Sequence, residues 1–362
     1  MRKIKEVIKA IEDLDRGMME KAQKKLDFLT KPQGSLGRLE ELAKQLTGIK
    51  RTFDIKLKNK VIFTFASDHG IAEEGVSAFP QEVTAQMVYN FISGGAGINV
   101  LARHVKARVV VADLGVKETL KTESKNLKIK KIGFGTKNFA KTKAMTKKQA
   151  QLSIAAGIEI FEEEFSAKGR SAPGEEKGID IAGIGEMGIA NTTPASAIAA
   201  AITGAKVRDI TGRGTGINDK ALKHKIKIIE KALLLHKPDK DDAIDVLSKV
   251  GGFEIGGLAG VILAAASRKV PVVVDGFIST AAALIAYKLE PKTAQYMISA
   301  HSSVEKGHKI MLKYMNLRPL LNLDLRLGEG TGAALAMSLV EAGVKIMNEM
   351  ATFENAGVSN KE

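Results

Sequence analysis

Residues Lys60–Gly70 read KVIFTFASDHG, and between Val61 and Ala66 only Thr64 interrupts the apolar run. A strand that is apolar on both sides needs cover on both faces, which is the situation of a parallel sheet flanked by helices. The run ends in Ser67, Asp68 and His69, so its carboxyl tip is polar, where α/β folds place their sites. The same design recurs outward along the chain. ARVVVADLGV (107–116) and Ile179–Ala182 read as further strands, and Val270–Val274 ends in Asp275, Gly276 and Phe277. Glycine-rich turns and helical patterns alternate with these strands, so the spacing predicts an α/β fold of three layers, with a mostly parallel sheet between helices. No repeat period stands out.

At the carboxyl end, PLLNLDLRLGEGTGAALA (319–336) alternates Leu321, Leu323, Leu325 and Leu327, the pattern of a short strand with one buried face. Gly328, Gly330 and Gly332 then let the backbone turn tightly around Glu329 before a small-residue helix from about Gly332. There Glu329 either faces a ligand beside backbone N–H groups or complements the helix dipole. In GIGEMGIANTTPA (183–195), Gly183, Gly185 and Gly188 satisfy GxGxxG, and Asp209 follows 21 residues after Gly188. That fits a dinucleotide fingerprint, and an NAD-dependent oxidoreductase is the rival enzyme class it suggests. Against it, Glu186 would oppose a pyrophosphate, while Asn191 and Thr192 suit the start of a helix that holds one small ligand. A tight turn without ligand is the plain alternative. In TGRGTGINDK (211–220), Gly212 and Gly214 with Lys220 make either a phosphate nest or a surface turn with a salt-bridged lysine. His301, Ser302 and Ser303 either offer donors to an anion or cap the helix that Glu305 and Lys306 begin.

Composition narrows the chemistry. The 362 residues contain no cysteine, which excludes disulfides, thiolate nucleophiles and cysteine-ligated metals. The six histidines have no metal-ligand spacing, so no metal is expected in the mechanism. A formal charge of +14 suits either an anionic ligand or nucleic acid. The eleven lysines between Lys117 and Lys148 come with few aromatics to stack bases, so they read as a solvated face. The N-terminal residues are charged and amphipathic, without the apolar run of a signal peptide or membrane span, and the expected location is cytoplasmic with no membrane contact. Two or three helices are expected before residue 50, residues 165–178 read as a surface loop, and Ala334–Met350 as an amphipathic helix returning to the N-terminal helices.

Seven ordered blocks resemble one family nearly end to end: KPQGSLGRLE (31–40), SDHGI with EGVSAFPQEVTAQMV (67–88), GIGEMGIANTTPA, DVLSKVGGFEIGGLAGV (245–261), VVDGFISTAAAL (273–284), SAHSSVEKG (299–307) and RLGEGTGAALA (326–336). They resemble the nicotinate-nucleotide dimethylbenzimidazole phosphoribosyltransferases of cobalamin biosynthesis. The resemblance implies a Rossmann-like catalytic domain over 51–333 and a small helical domain built from 1–50 and about 334–356. It implies a homodimer without cofactor, whose small-molecule substrates are nicotinate mononucleotide and a benzimidazole-type base. The base displaces nicotinate from C1′ with inversion, giving α-ribazole phosphate. By motif, Glu329 is then the general base, with Glu186, Gly188, Asn191, Thr192, Gly212, Gly214, Lys220 and Ser303 around the nucleotide. Phe79, Gln86, Met87 and Leu327 flank the base. Phe79 departs from members that carry a small hydroxyl residue there, which leaves the preferred base open.

Overall fold

The structure is a computed structural model that describes residues 2–122, 124, 127–166 and 178–359. Three helices come first, α1 (Arg2–Lys9), α2 (Arg16–Asp27) and α3 (Arg38–Lys50), then β1 (Lys60–Ser67). They are followed by α4 (Val83–Ser93), α5 (Gly97–His104), β2 (Ala107–Gly115), β3 (Leu127–Ile129), α6 (Lys147–Ser166) and β4 (Ile181–Met187). Next are α7 (Thr192–Thr203), α8 (Val207–Ile210), α9 (Asp219–His236), α10 (Ala243–Val250), α11 (Phe253–Ser267), β5 (Val272–Val274) and α12 (Phe277–Leu289). The chain closes with β6 (Met297–Ser299), α13 (Lys306–Tyr314), α14 (Thr331–Glu349) and α15 (Phe353–Ala356). Residues 167–177, most of the expected surface loop at 165–178, lie outside the described residues.

The strands form one parallel sheet in the order β3-β2-β1-β4-β5-β6, the Rossmann order, which reverses direction between β1 and β4. All of β1 is buried, as the nearly unbroken apolar run from Val61 to Ala66 requires. Phe63, Phe65, Ala112 and Ile184 join the core under α6 and α11, whereas Ile62, Val111, Ile181 and Val273 join the core under α3, α5 and α14. Alternate residues therefore feed two cores, and the sheet is the middle of three layers. Helices α2 and α3 pack together and α3 packs on α14, while Ile4 of α1 joins the core on the opposite face.

Two sequence expectations change here. The leucine alternation at 321–327 does not form a strand. Leu321 makes one bridge to His301, and Leu323 and Leu327 are 52% and 60% exposed. The edge strand β6 is only three residues long, so beyond Leu321 the segment has no backbone ladder to join and runs as a loop. The GxGxxG glycines do not form a phosphate turn either. Gly183 and Gly185 lie within β4, opposite Ile62 and Thr64 of β1. A Cβ on Gly185 would stand 2.1 Å from the Gly330 nitrogen. This glycine thus serves a close approach of backbone to backbone, and it brings the loop carrying Glu329 onto the sheet.

Candidate active site

The carboxyl ends of the strands deliver the side chains. Asp68 and His69 follow β1, Glu186 ends β4, Asp275 follows β5, and His301 follows β6. Beside the switch point lies a cavity of about 380 Å³, lined by Glu186, Gly188, Asn191 and Thr192 on one wall. Gly214, Gly276, His301, Ser303 and Glu305 complete the polar part, and Phe79, Val83, Met87 and Leu327 form an apolar side beside Arg326 and Glu329.

Glu329 is held in an uncommon conformation. Gly328, Glu329 and Gly330 have φ of +88°, +63° and +97°, a left-handed run that costs a non-glycine residue about 1 kcal/mol or more. Three contacts hold it there. Thr64 Oγ1 donates to the Glu329 carbonyl at 2.8 Å, the Glu329 N–H donates to the Glu186 carbonyl at 3.3 Å, and the Ile98 N–H donates to Glu329 Oε2 at 3.0 Å. The last donor belongs to the first turn of α5, so the carboxylate faces a helix N-terminus. Oε1 has no hydrogen-bond partner among the described residues. Burial pushes the Glu329 carboxyl above its ordinary range, the Ile98 N–H pulls it back, and Asp275 adds repulsion. The loop is pinned from behind by Asp275, which accepts N–H bonds from Gly330, Gly332 and Ala333 at 3.1, 2.7 and 3.1 Å. Those are the unpaired donors that open α14, so a residue just past β5 caps this helix.

Glu186 is a different kind of acid. Burial, and after it the neighbouring charge of Glu254, raise its carboxyl to about 8, even though Asn191 Nδ2 donates to Oε2. It is therefore protonated at neutral pH, which removes the repulsion of an anion that its position in the motif suggested. Two carboxyls lining one cavity thus have different surroundings, the arrangement that separates acid from base.

Of the sequence candidates, the cavity brings together Glu329, Glu186, Gly188, Asn191, Thr192, Gly214, Ser303, Phe79, Met87 and Leu327. Gly212 lies behind the wall, where a Cβ would stand 2.0 Å from Glu305 Oε2. Gln86 and Lys220 are exposed and do not line the cavity. The lysine that reaches this wall is Lys225, which is fully buried and donates to Thr192 Oγ1 at 2.6 Å. Burial lowers its ammonium to about 8, against the pull of Glu305. Lys225 shares the buried side of α9 with Ile228, Ile229 and Ala232, at i+3, i+4 and i+7, and that phase distinguishes it from the other lysines of KALKHKIK. Ser303 is not the N-cap residue of α13, which is Glu305 with no side-chain cap bond, but Ser303 Oγ accepts from the Glu305 N–H at 3.4 Å just ahead of the helix. The Ser303 N–H donates to His308 Nδ1 at 2.9 Å, and Nε2 of that ring meets Thr280 Oγ1 at 2.9 Å. Burial and the neighbouring His301 lower His308 to about 3, so it stays neutral and Nε2–H is the donor to Thr280. His69 meets Glu254 at 2.8 Å, both side chains fully buried. Among the described residues, no group of three His, Asp or Glu is placed to hold a metal ion.

A Rossmann-order sheet with a strained acid and a neutral acid around one switch-point cavity defines an α/β enzyme acting on a small ligand. The comparisons with known proteins narrow the class. A phosphoribosyltransferase family model matches residues 11–358, and the chain belongs to that family. A nicotinate-nucleotide–dimethylbenzimidazole phosphoribosyltransferase of Citrifermentans bemidjiense is 53% identical over 360 residues, covering 99% of this chain and all of the relative. The protein of the same description from Geobacter metallireducens is 55% identical over 353 residues, covering 98% of this chain and 97% of its own length. The crystal structure of CobT from Thermus thermophilus superposes with a TM-score of 0.89 at 40% identity, covering 95% of this chain and all of that one.

Proposed function

We infer that this chain transfers the 5-phosphoribosyl group of nicotinate mononucleotide to dimethylbenzimidazole or a related base, releasing nicotinate and forming α-ribazole phosphate. The single observation that carries the mechanism is Glu329, buried at the end of a strained loop with one oxygen tied to a helix N-terminus and the other without a protein partner among the described residues. The base stacks along Phe79, Val83, Met87 and Leu327, and its N–H proton passes to Glu329 Oε1 as its other ring nitrogen attacks C1′. The C1′–N bond to the pyridinium breaks, and nicotinate leaves with the bonding pair. A raised carboxyl is a stronger base than an exposed one, and such proton transfer contributes on the order of a hundredfold or more. Negative charge near C1′ also favours the positive character that develops on the ribose. Glu186, protonated, donates to a ribose oxygen. The 5′-phosphate takes the N-terminus of α7 and Lys225, whose ammonium a dianion would hold in its charged form.

We further read the working form as a homodimer, since Phe79 and Leu327 expose large apolar surfaces at the cavity, and its place as the cytoplasm. No described helix is long and apolar enough to cross a membrane. The test of the reaction is a product assay with nicotinate mononucleotide and a panel of benzimidazoles, purines and phenols. Formation of a base-linked ribotide with equimolar nicotinate is expected, and no product with any base would remove this function.

A further inference from the structure

Building on the proposed reaction, we propose that Arg326 is a specificity-determining residue that reads the ring carboxylate of nicotinate. The cavity wall contains the carboxyls of Glu186, Glu305 and Glu329, with Arg326 as its sole cationic side chain among the described residues. The mononucleotide is anionic at both ends, at the 5′-phosphate and at the ring carboxylate. The structure offers two cations for these two groups, on separate supports. Lys225 is buried behind Thr192 and Gly214, on the wall where α7 begins. Arg326 stands on another loop, next to Leu327 and three residues before Glu329. It is exposed, and among the described residues it has no hydrogen-bond or ion-pair partner. An unpaired guanidinium on the cavity wall matches a carboxylate on a flat ring, since its planar fork donates two parallel bonds. Without Arg326 the ring carboxylate would share the cavity with the carboxyls of Glu305 and Glu329 and find no cationic side chain on its wall. The neutral carboxamide of nicotinamide leaves such a fork unpaired, which is how a polar site rejects a near-isosteric substrate. Because Arg326 and Glu329 share one loop, the residue that reads the departing ring sits beside the residue that deprotonates the incoming one.

The test compares wild type with Arg326→Gln and Arg326→Lys on three donors: nicotinate mononucleotide, nicotinamide mononucleotide and nicotinate riboside. Arg326→Gln should lower kcat/KM at least tenfold for both nicotinate compounds and change it less than twofold for the nicotinamide compound. Arg326→Lys should recover part of the loss, since it keeps the charge without the fork. An equal loss on all three donors would make Arg326 a loop-positioning residue and overturn the proposal. A loss confined to the two phosphorylated donors would assign it to the phosphate and overturn it equally. Failure of wild type to convert nicotinate mononucleotide would remove the reaction itself, and this role with it.

Discussion

Replacing Glu186 with Gln separates a buried neutral acid from a buried charge, because Gln mimics the protonated form in shape and can still accept from Asn191. With its carboxyl raised from 4.5 to about 8, Glu186 retains its proton in the folded chain while the unfolded chain has already released it. Between those values the native state binds more protons, so stability falls as pH rises. Above about 8 the full penalty applies, on the order of 4 to 5 kcal/mol if the surroundings do not relax. Below pH 4.5 it is absent, since both states are protonated. Glu186→Gln removes this dependence. Urea denaturation of wild type and variant from about pH 5 to 9 should show near-equal stability at the acid end and a growing advantage for the variant, at least about 2 kcal/mol by about pH 8.5. Parallel curves across that range would mean that Glu186 is ionised in the native protein, and the division of labour between the two acids would fall.

Other perturbations follow the same geometry. Lys225→Ala should raise KM for the mononucleotide more than about tenfold with little effect on KM for the base, while Lys220→Ala, at an exposed position, should match wild type in steady-state kinetics. Gly185→Ala drives a methyl group to within 2.1 Å of the Gly330 nitrogen, so it should displace the Glu329 loop and lower kcat at least about a hundredfold, and a crystal structure of the variant would show the shift. Asp275→Asn keeps the shape but halves the acceptors for the N–H groups of Gly330, Gly332 and Ala333. It should lower stability by about 1 to 3 kcal/mol, read by thermal melting, and turnover with it.

The α/β class was readable in β1, whose apolar run, broken only by Thr64, could be satisfied only with helices on both faces. Asp275 stands, as its sequence suggests, just past a buried strand, whereas Glu186 lies within β4 and not in a turn, and Glu329 follows a loop and not a strand. What local pattern could not carry was distance. The glycines of GIGEMG fit a phosphate turn as well as a strand, and the close approach of Gly330, 145 residues away in sequence, decided for the strand. The leucines of 321–327 alternate as a strand would, yet a strand needs an edge to pair with, and β6 ends too soon. Lys225 was hidden among similar lysines until the helical phase of α9 set it on the buried side. The neutral state of Glu186 follows from burial near Glu254, Asp275 and Glu329, which only the assembled fold brings together.

The most direct test is Glu329→Gln, followed at saturating nicotinate mononucleotide and dimethylbenzimidazole, with calorimetric binding of each substrate measured alongside. Binding should stay within a fewfold of wild type while turnover falls by about two or more orders of magnitude. Turnover within a fewfold of wild type would show that the proton of the incoming base leaves by another route.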